Sequence, residues 1–394
     1  RFTNMKLSAK ATIYGCYLGY ITQAIVNNLP PLLFLTFRRE FGVTLDQISL
    51  LITMNFCVQI LVDLISPKII EKTGYRKAAL CAFLTVMLGL TGFYWIPFVL
   101  PPYAGILLCM VCNAIGGGIL EVIVSPMVEA CPGENKEARM SFLHSFYCWG
   151  HMGVVLLSTL YFALAGIENW RFLPPLWALV PLGTFLLFTR VPIYAVHGDD
   201  EETKLPKSIF RYKVFWVLFL LMVCAGASEQ AVSQWSSLFA EEGLKVSKTM
   251  GDLLGPCAFA FCMGLSRLFY GRKGEKLNIL LSLKATSVLC VAGYLITALS
   301  PLPLLSLAGC ALCGFSVGLM WPGVFSLGAS YLKGGGTFMF AMFALAGDVG
   351  CSAGPAVVGI LSDMTGKLNL GILAAVVFPI GLWGLSWGLG KRRG

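Results

Sequence analysis

Residues 103–130 read YAGILLCMVCNAIGGGILEVIVSPMVEA, and this stretch decides the fold class. It exceeds the roughly 20 mostly apolar residues that a bilayer crossing requires, and Glu121 is its only charged residue before position 129. Eleven further runs of this kind lie near 11–36, 47–67, 78–99, 139–165, 173–192, 214–240, 249–270, 279–299, 302–331, 337–361 and 369–390. The sequence therefore predicts an all-α membrane protein with twelve transmembrane helices.

The composition of the whole chain supports this prediction. Of its 394 residues, 57% are hydrophobic and only 12% are charged, whereas soluble proteins carry roughly 25% charged residues. So few charges cannot cover a water-facing surface, which excludes a soluble fold and a disordered chain. The fourteen cysteines lie almost wholly within the apolar runs. We interpret them as packing residues and predict neither a disulfide framework nor a metal site.

The distribution of basic residues predicts the orientation, because Lys and Arg are enriched in the cytoplasmic connections of membrane proteins. Of the 29 basic residues, 22 fall in the terminal segments and in the connections that follow even-numbered spans. The opposite connections contain only six: Arg38, Arg39, Arg171, Lys245, Lys248 and Lys367. We therefore expect a multi-pass protein of the cell inner (plasma) membrane, with both termini cytoplasmic. Its surroundings would be the lipid bilayer, and it would have no nucleic-acid partner.

A hydrophilic segment at 195–213 separates six spans from six. It predicts an N-terminal six-helix bundle at 1–194, a cytoplasmic linker at 195–213 and a C-terminal six-helix bundle at 214–394.

The two halves also repeat each other at an offset close to 200 residues. The charged stretch Glu71–Lys77 has a counterpart in Gly271–Lys276, and Gly150-His-Met-Gly153 has a counterpart in Gly347-Asp-Val-Gly350. Six spans per half give both halves the same orientation. Parallel six-span repeats are typical of one large class of transporters.

Ionisable groups inside a membrane span are costly and by default indicate function. Span 4 carries a stripe with a period of four residues, which lies on one helix face: Asn113, Gly117, Glu121 and Ser125. Glu121 lies near mid-depth, where burial favours the neutral form of a carboxyl group, so we predict that it carries a proton. Span 5 presents a second polar face, which we predict to bind substrate together with Ser125: His144, Tyr147 and His151. The alternatives are a carboxylate that acts as a conformational latch and histidines that make one interhelical bond.

Neutral amides form a further group of candidates. Span 1 contributes three of them, Gln23, Asn27 and Asn28, and span 7 contributes Glu229, Gln230, Gln234 and Trp235. Amides beside an aromatic ring suit a sugar, because they hydrogen-bond to hydroxyls while the ring covers the apolar face of the sugar. We predict that these amides and Trp235 bind substrate, and that Trp321 in span 10 adds a second ring. A lone Trp is otherwise a packing residue or an interface anchor.

Charged residues close to the cytoplasmic ends of the spans are predicted to form a conformational latch. Asp63 in span 2 and Arg267 at the comparable place in span 8 are its first members. The connections that follow these two spans add Glu71, Lys72, Arg76 and Arg272. Such contacts would break and form as the two halves rock against each other.

Glu71–Lys77 resembles the basic loop motif of the major facilitator superfamily, with Glu71 in place of the usual Asp. A closer resemblance, to the fucose permease-like sugar:proton symporters, lies in Gly118-Ile-Leu-Glu-Val-Ile-Val-Ser-Pro126, Arg139-Met-Ser-Phe-Leu-His-Ser-Phe146 and Trp321-Pro-Gly-Val-Phe-Ser-Leu-Gly328. The resemblance implies a sugar substrate and Glu121 as the proton carrier. It also places His144 where the family tends to have a Gln for sugar hydroxyls, and Asn27-Asn28 matches the family pattern in span 1.

One position departs from that family. The family carries an Asp where this chain has Pro31, so only one of the two family acids is retained. Asp348 and Glu229 are candidates to replace the missing acid in proton coupling, although neither follows from the family pattern. The departure leaves an uncoupled sugar facilitator as an open alternative.

The sequence favours a transporter over an enzyme, since it contains no phosphate-binding loop of the nucleotide-dependent pumps and no catalytic constellation in a connection. No cofactor is expected. The leading hypothesis is alternating-access transport of a small neutral polar solute, a sugar, by a monomer that couples it to a proton or to sodium. The rival hypotheses are an exporter of cationic or amphipathic compounds and a membrane-embedded enzyme or sensor without transport.

Overall fold

The computed structural model describes residues 8–132, 136–194, 209–273, 277–332 and 336–390, and every regular element in these ranges is helical. The first half of the chain contains α1 (Ala9–Asn28), α2 (Phe34–Phe41), α3 (Leu45–Thr73), α4 (Tyr75–Gly92), α5 (Ile96–Val99), α6 (Pro102–Ala130), α7 (Lys136–Ala165), α8 (Leu173–Trp177) and α9 (Leu179–Phe188). The second half contains α10 (Lys213–Leu238), α11 (Lys248–Asp252), α12 (Ala258–Lys273), α13 (Ile279–Leu299), α14 (Pro303–Val317), α15 (Met320–Tyr331), α16 (Gly336–Thr365), α17 (Leu368–Ala374) and α18 (Val377–Gly390).

Within the described ranges, ten helical segments are long and apolar enough to cross a membrane. The prediction of an all-helical, multi-pass membrane protein is thereby confirmed. Two further long helices, α1 with 20 residues and α4 with 18, are not among the ten. The predicted first span is interrupted, because α1 ends at Asn28 and a 3-10 turn at Pro30–Leu33 precedes α2. Residues 195–208, most of the predicted linker, lie outside the described residues.

Contacts between helices divide the chain into two compact units. Unit 1 comprises Arg1–Leu33 and Val58–Asp200, and unit 2 comprises Phe34–Cys57 and Glu201–Gly394. The chain therefore passes from one unit to the other within α3. As a result, α2 and the first part of α3 have their packing partners in the unit that is otherwise built from the second half of the chain.

In unit 1, glycines set the distances between α6, α7 and their neighbours. A Cβ at Gly116 of α6 would lie 2.5 Å from the backbone oxygen of Ala82 in α4. A Cβ at Gly150 of α7 would lie 3.0 Å from the Cβ of Ala24 in α1. Small residues let transmembrane helices approach closely. A Cβ at Gly19 of α1 would lie 3.0 Å from Val124, so α1 also packs against the part of α6 that carries Glu121.

In unit 2, α10 and α16 are in still closer contact. An added Cβ would overlap a backbone oxygen of the facing helix at three glycines: Gly226 against Gly347, Gly350 against Val223, and Gly354 against Ala227. Backbone atoms cannot move aside without moving their helix. These glycines therefore fix the separation of the two helices, and with it the positions of the polar residues of α10.

The segment of the first half that belongs to unit 2 is held by specific contacts. Ser49 Oγ in α3 donates a hydrogen bond of 3.3 Å to the backbone oxygen of Ala356 in α16. A Cβ at Gly359 would lie 2.6 Å from Ser49 Oγ, so the helices touch at this point. In α2, Arg38 makes two contacts of 3.1 Å with the carboxylate of Glu242. Bidentate pairs of this kind add directional specificity to the attachment.

Candidate functional site

The first polar cluster lies in unit 1, where α6 faces α1. Glu121 Oε2 accepts a hydrogen bond of 2.6 Å from Nε2 of Gln23. The other amide atom, Gln23 Oε1, is buried and has no hydrogen-bond partner among the described residues. One turn further along α6, Ser125 Oγ and Tyr20 Oη are 3.1 Å apart and share a hydrogen bond. The cluster thus offers a carboxylate, two hydroxyls and an unfilled acceptor on two adjoining helices.

The other end of the predicted stripe on α6 has a different environment. Asn113 is fully buried, and a Cβ at Gly89 of α4 would lie 2.7 Å from its Cγ. A Cβ at Gly117 would lie 3.2 Å from Val26. Only the half of the stripe around Glu121 therefore carries polar side chains that meet other polar side chains.

A second polar cluster joins α1, α3 and α7 in the same unit. Gln59 Nε2 donates a hydrogen bond of 2.8 Å to Asn27 Oδ1. Tyr147 Oη accepts hydrogen bonds of 3.4 Å from Nδ2 of both Asn27 and Asn28. The two Asn side chains and Gln59 are buried. The structure thus brings three of the predicted binding residues together and adds Gln59 to them.

The two histidines of α7 lie in different environments. His144 is exposed, and its ring centroid is 5.4 Å from that of Tyr20. It therefore lies beside the ring of Tyr20, the residue whose hydroxyl pairs with Ser125. His151 is only 2% exposed and lies about two helical turns further along α7.

In unit 2 the polar residues of α10 form a chain of contacts. Gln234 Nε2 donates to Gln230 Oε1 at 3.0 Å, and Gln230 Nε2 donates to Glu229 Oε1 at 3.2 Å. This series of side-chain contacts continues to Arg267 of α12, whose Nη2 is 3.6 Å from Glu229 Oε2. From the sequence we predicted that Glu229 takes part in proton coupling and that Arg267 belongs to the conformational latch. In the structure the two side chains form one ion pair, in which Glu229 is buried and Arg267 is half-buried.

The two candidate tryptophans lie near α16. Trp235 is fully buried, and its Nε1 donates a hydrogen bond of 3.0 Å to the backbone oxygen of Pro355. Trp321 is half-buried, and its ring occupies the space that a Cβ at Gly347 would need. The neighbouring candidate Asp348 is 8% exposed. Both tryptophans therefore contact α16, the helix that carries Asp348.

The predicted latch residues are spread over several environments. Arg76 donates hydrogen bonds of 2.6 and 2.7 Å to the backbone oxygens of Phe188 and Val191, and so binds the end of α9. Asp63 is half-buried and Lys72 is exposed. The side chains of Glu71 and Arg272 lie outside the described residues, as does 274–276 of the repeated motif.

One charged cluster was not selected from the sequence. Lys248 Nζ lies 2.9 Å from Asp252 and 3.1 Å from Glu241, and Ser237 Oγ donates a hydrogen bond of 2.6 Å to Asp252. Asp252 is fully buried. Two π-helical segments adjoin the cluster, Phe239–Gly243 and Leu253–Cys257. The spacing of Lys248 and Asp252, four residues apart, was the signal in the sequence that could have revealed it.

The ion pair on α10 and α12 leads to a first prediction. We expect Arg267→Gln to destabilise the protein by about 2 kcal/mol, because the buried Glu229 would lose its cationic partner. Removing one member of a fully buried pair costs roughly 3–5 kcal/mol, and the expected value is lower because the Arg267 side chain is 24% exposed. Thermal unfolding of the purified protein measures the effect. The double variant Glu229→Gln/Arg267→Gln should recover most of the lost stability; a double variant as unstable as Arg267→Gln would contradict the pairing.

Within the described ranges, no group of three or more His, Cys, Asp or Glu residues is arranged to hold a metal ion.

Known proteins resemble this chain in sequence and in fold. The sequence-family model described as the Major Facilitator Superfamily matches residues 16–355 of this chain. No curated protein sequence matches the chain. Among solved structures, the fucose:proton symporter FucP of E. coli is similar over 96% of this chain and 98% of its own, with 16% identity and a TM-score of 0.66.

Two further structures show the same fold at lower identity. The nucleoside transporter NupG is similar over 96% of this chain and 99% of its own, with 11% identity and a TM-score of 0.79. The xylose transporter XylE from E. coli is similar over 96% of this chain and 97% of its own, with 10% identity and a TM-score of 0.77. Identities this low establish the shared fold and leave the solute to be argued from the residues.

Proposed function

The chain belongs to the major facilitator superfamily and is a transporter, and from that premise we propose that it moves a small neutral polar solute, with a sugar as the first candidate. Transport would proceed by alternating access, and Glu121 would couple it to a proton. The observation that carries this proposal is the Gln23–Glu121 pair. It combines an ionisable carboxylate with a buried acceptor, Gln23 Oε1, that lacks a donor.

A buried acceptor without a hydrogen bond costs free energy, roughly 1–3 kcal/mol. A sugar hydroxyl would supply the missing donor to Gln23 Oε1, and the Oη of Tyr20 and Oγ of Ser125 lie on the same two helices. Amides and hydroxyls both donate and accept hydrogen bonds, which matches a solute with many hydroxyl groups. Asn27, Asn28, Tyr147, His144 and His151 extend this binding surface in unit 1, and Gln230, Gln234, Trp235 and Trp321 are the corresponding proposals in unit 2.

The character of the partner of Glu121 supports the proposed proton coupling. Its contact at 2.6 Å is with a neutral amide, whereas Glu229 has the cationic Arg267 at 3.6 Å. A carboxylate next to a neutral group takes up a proton more readily than one held by a guanidinium. Glu121 is therefore the first choice for the proton carrier, and Glu229 and Asp348 are the second. Sodium is the alternative coupling ion.

The remaining parts of the proposal concern topology. Adding α1 and α4 to the ten apolar segments would give twelve spans, in six-helix bundles at 1–194 and 214–394 with a cytoplasmic linker at 195–213; the Phe34–Cys57 part of the first bundle packs in unit 2. Both termini would be cytoplasmic, in the plasma membrane, and the protein would act as a monomer. The proposed latch comprises Asp63, Glu71, Lys72, Arg76, Arg267 and Arg272.

Two other functions would be supported by different results of the screen described below. Pro31, at the position of a family acid, favours an uncoupled facilitator. The neutral partner of Glu121 also suits an exporter of lipophilic cations, since a carboxylate with no basic partner can attract a cation.

A thermal-shift screen of the purified protein tests the proposal. We expect one sugar to raise the unfolding temperature, and the increase to differ between an acidic and a neutral pH. Gln23→Ala should remove most of the increase, because it deletes the buried acceptor. Stabilisation by several lipophilic cations, with no response to any sugar or polyol, would replace the sugar transporter by the exporter. An equal response to one sugar at both pH values would favour the facilitator.

A further inference from the structure

Unit 2 contains a cavity that the proposed function does not use. Its volume is about 800 Å³. Four chain connections surround it, the stretches near 42–45, 242–245, 300–303 and 366–369. Each connection follows an odd-numbered predicted span, so all four belong to the side that the basic-residue count assigns to the exterior.

The basic residues at this cavity are unexpected for that side of the membrane. Only six Lys and Arg residues fall in the connections that the sequence places outside. Three of them, Arg38, Lys245 and Lys367, line the cavity. Two more are close in sequence to lining residues, since Arg39 follows Arg38 and Lys248 is three positions after Lys245. The rule that depletes exterior connections of basic residues does not explain their concentration in one place.

Existing ion pairs account for some of these charges but not for all. Glu242 neutralises Arg38 through two contacts of 3.1 Å, and Lys248 is bound by Asp252 and Glu241. By contrast, the ammonium groups of Lys245 and Lys367 make no hydrogen bond or ion pair within the described part of the chain, and both side chains are exposed. They are therefore available to a ligand.

The backbone at Lys245 supports a functional reading of this site. Its φ of 58° is the one positive value found at a non-glycine residue in the described ranges. The left-handed region is unfavourable for residues with a Cβ, and such positions concentrate at functional sites. A glycine would adopt this conformation more easily, yet the chain has a long cationic side chain there.

The rest of the lining adds groups that recognise hydroxyls. Asp363 contributes a carboxylate and Asn369 an amide oxygen, since the Asn369 Nδ2 donates to the backbone oxygen of Ala298. The hydroxyls of Thr44, Thr297 and Ser300 also line the cavity, and each donates a hydrogen bond within the protein. Two free ammonium groups would attract an anion, whereas Asp363 disfavours a simple inorganic anion and can accept hydrogen bonds from hydroxyls. We propose that this cavity binds a hydroxylated organic anion of the sugar-acid type, with its carboxylate held by Lys245 and Lys367.

This site is independent of the Gln23–Glu121 cluster, which lies in unit 1. The test can therefore separate the two. Calorimetric titration of the purified full-length protein with gluconate is compared with titration with sorbitol, which has a hydroxymethyl group in place of the carboxylate. We expect gluconate to bind and sorbitol to bind at least about tenfold more weakly, because hydrogen bonds to ionised groups are stronger than neutral ones.

The variant Lys245→Gln/Lys367→Gln should weaken gluconate binding by about tenfold. The matched control Lys68→Gln/Lys77→Gln, which removes two exposed lysines of α3 and α4, should leave it unchanged. Glu121→Gln should also leave it unchanged, so that failure of the transport proposal does not affect this result. Equal binding of gluconate to the first variant and to the native protein would overturn the proposal, as would binding of inorganic phosphate as tight as that of gluconate.

Discussion

Glu121→Gln is expected to abolish solute accumulation driven by a pH gradient while solute exchange continues. Gln has the shape of Glu and can still accept the hydrogen bond from Gln23 that the structure shows at 2.6 Å, so the packing of α6 on α1 should survive. It cannot bind or release a proton. With one proton per solute, a gradient of about one pH unit supports roughly tenfold accumulation, and the variant should only equilibrate the solute across the membrane.

Uptake into proteoliposomes with and without an imposed gradient measures this effect, once the thermal-shift screen has supplied the solute. Counterflow, in which unlabelled solute inside drives labelled solute inward, measures exchange without net proton movement. Glu168→Gln is the matched control, because Glu168 is an exposed carboxylate of the same unit, in the 3-10 helix Ile167–Phe172. If the Glu121→Gln variant accumulated solute as well as the native protein, Glu121 would not be the proton carrier. Glu229 and Asp348 would then be the candidates for proton coupling.

Gly350→Leu is expected to prevent the protein from folding stably. A Cβ at this position would overlap the backbone oxygen of Val223, so α16 would have to move away from α10. Overpacking a well-packed interior costs about 1–3 kcal/mol, and more where backbone must shift. Two further close approaches, at Gly226 and Gly354, would be lost in the same displacement. We expect little monodisperse protein after size-exclusion chromatography in detergent and a large drop in unfolding temperature for what remains.

The repeat supplies a matched control for this substitution. Gly153 of α7 corresponds to Gly350 in the sequence repeat, yet a Cβ at Gly153 would meet no atom within 4 Å. Gly153→Leu should therefore yield folded protein in near-native amount, although both substitutions add the same side chain to a transmembrane helix. Similar yields and unfolding temperatures for the two variants would show that the contact of α10 and α16 does not limit stability.

The helices were predictable from the sequence because hydropathy is a local property. The predicted run at 103–130 corresponds to α6, Pro102–Ala130, and the predicted run at 214–240 corresponds to α10, Lys213–Leu238. Local chemistry also explains where a run was not one helix. Pro30 and Pro31 lack the amide hydrogens that a helix interior needs, so the predicted run at 11–36 is divided into α1, a 3-10 turn and the start of α2.

Partners across helices were not predictable from the sequence. The stripe on α6 marked Glu121 as important, but its contact with Gln23 joins residues 98 positions apart and depends on how each helix is rotated. For the same reason Glu229 and Arg267 were given separate roles, although a long Arg side chain brings the two together. The glycine contacts that set the distances between helices are likewise seen only when the facing backbone is known.

The placement of Phe34–Cys57 in unit 2 has a consequence for biosynthesis. Ser49 hydrogen-bonds to Ala356, which the ribosome adds 307 residues later. At about 5–20 residues per second, roughly 15–60 s pass before the partner exists. During that interval the early segment, already inserted, must wait in the bilayer without its final neighbours. The contact of this segment with α16 can therefore form only after most of the chain has been synthesised.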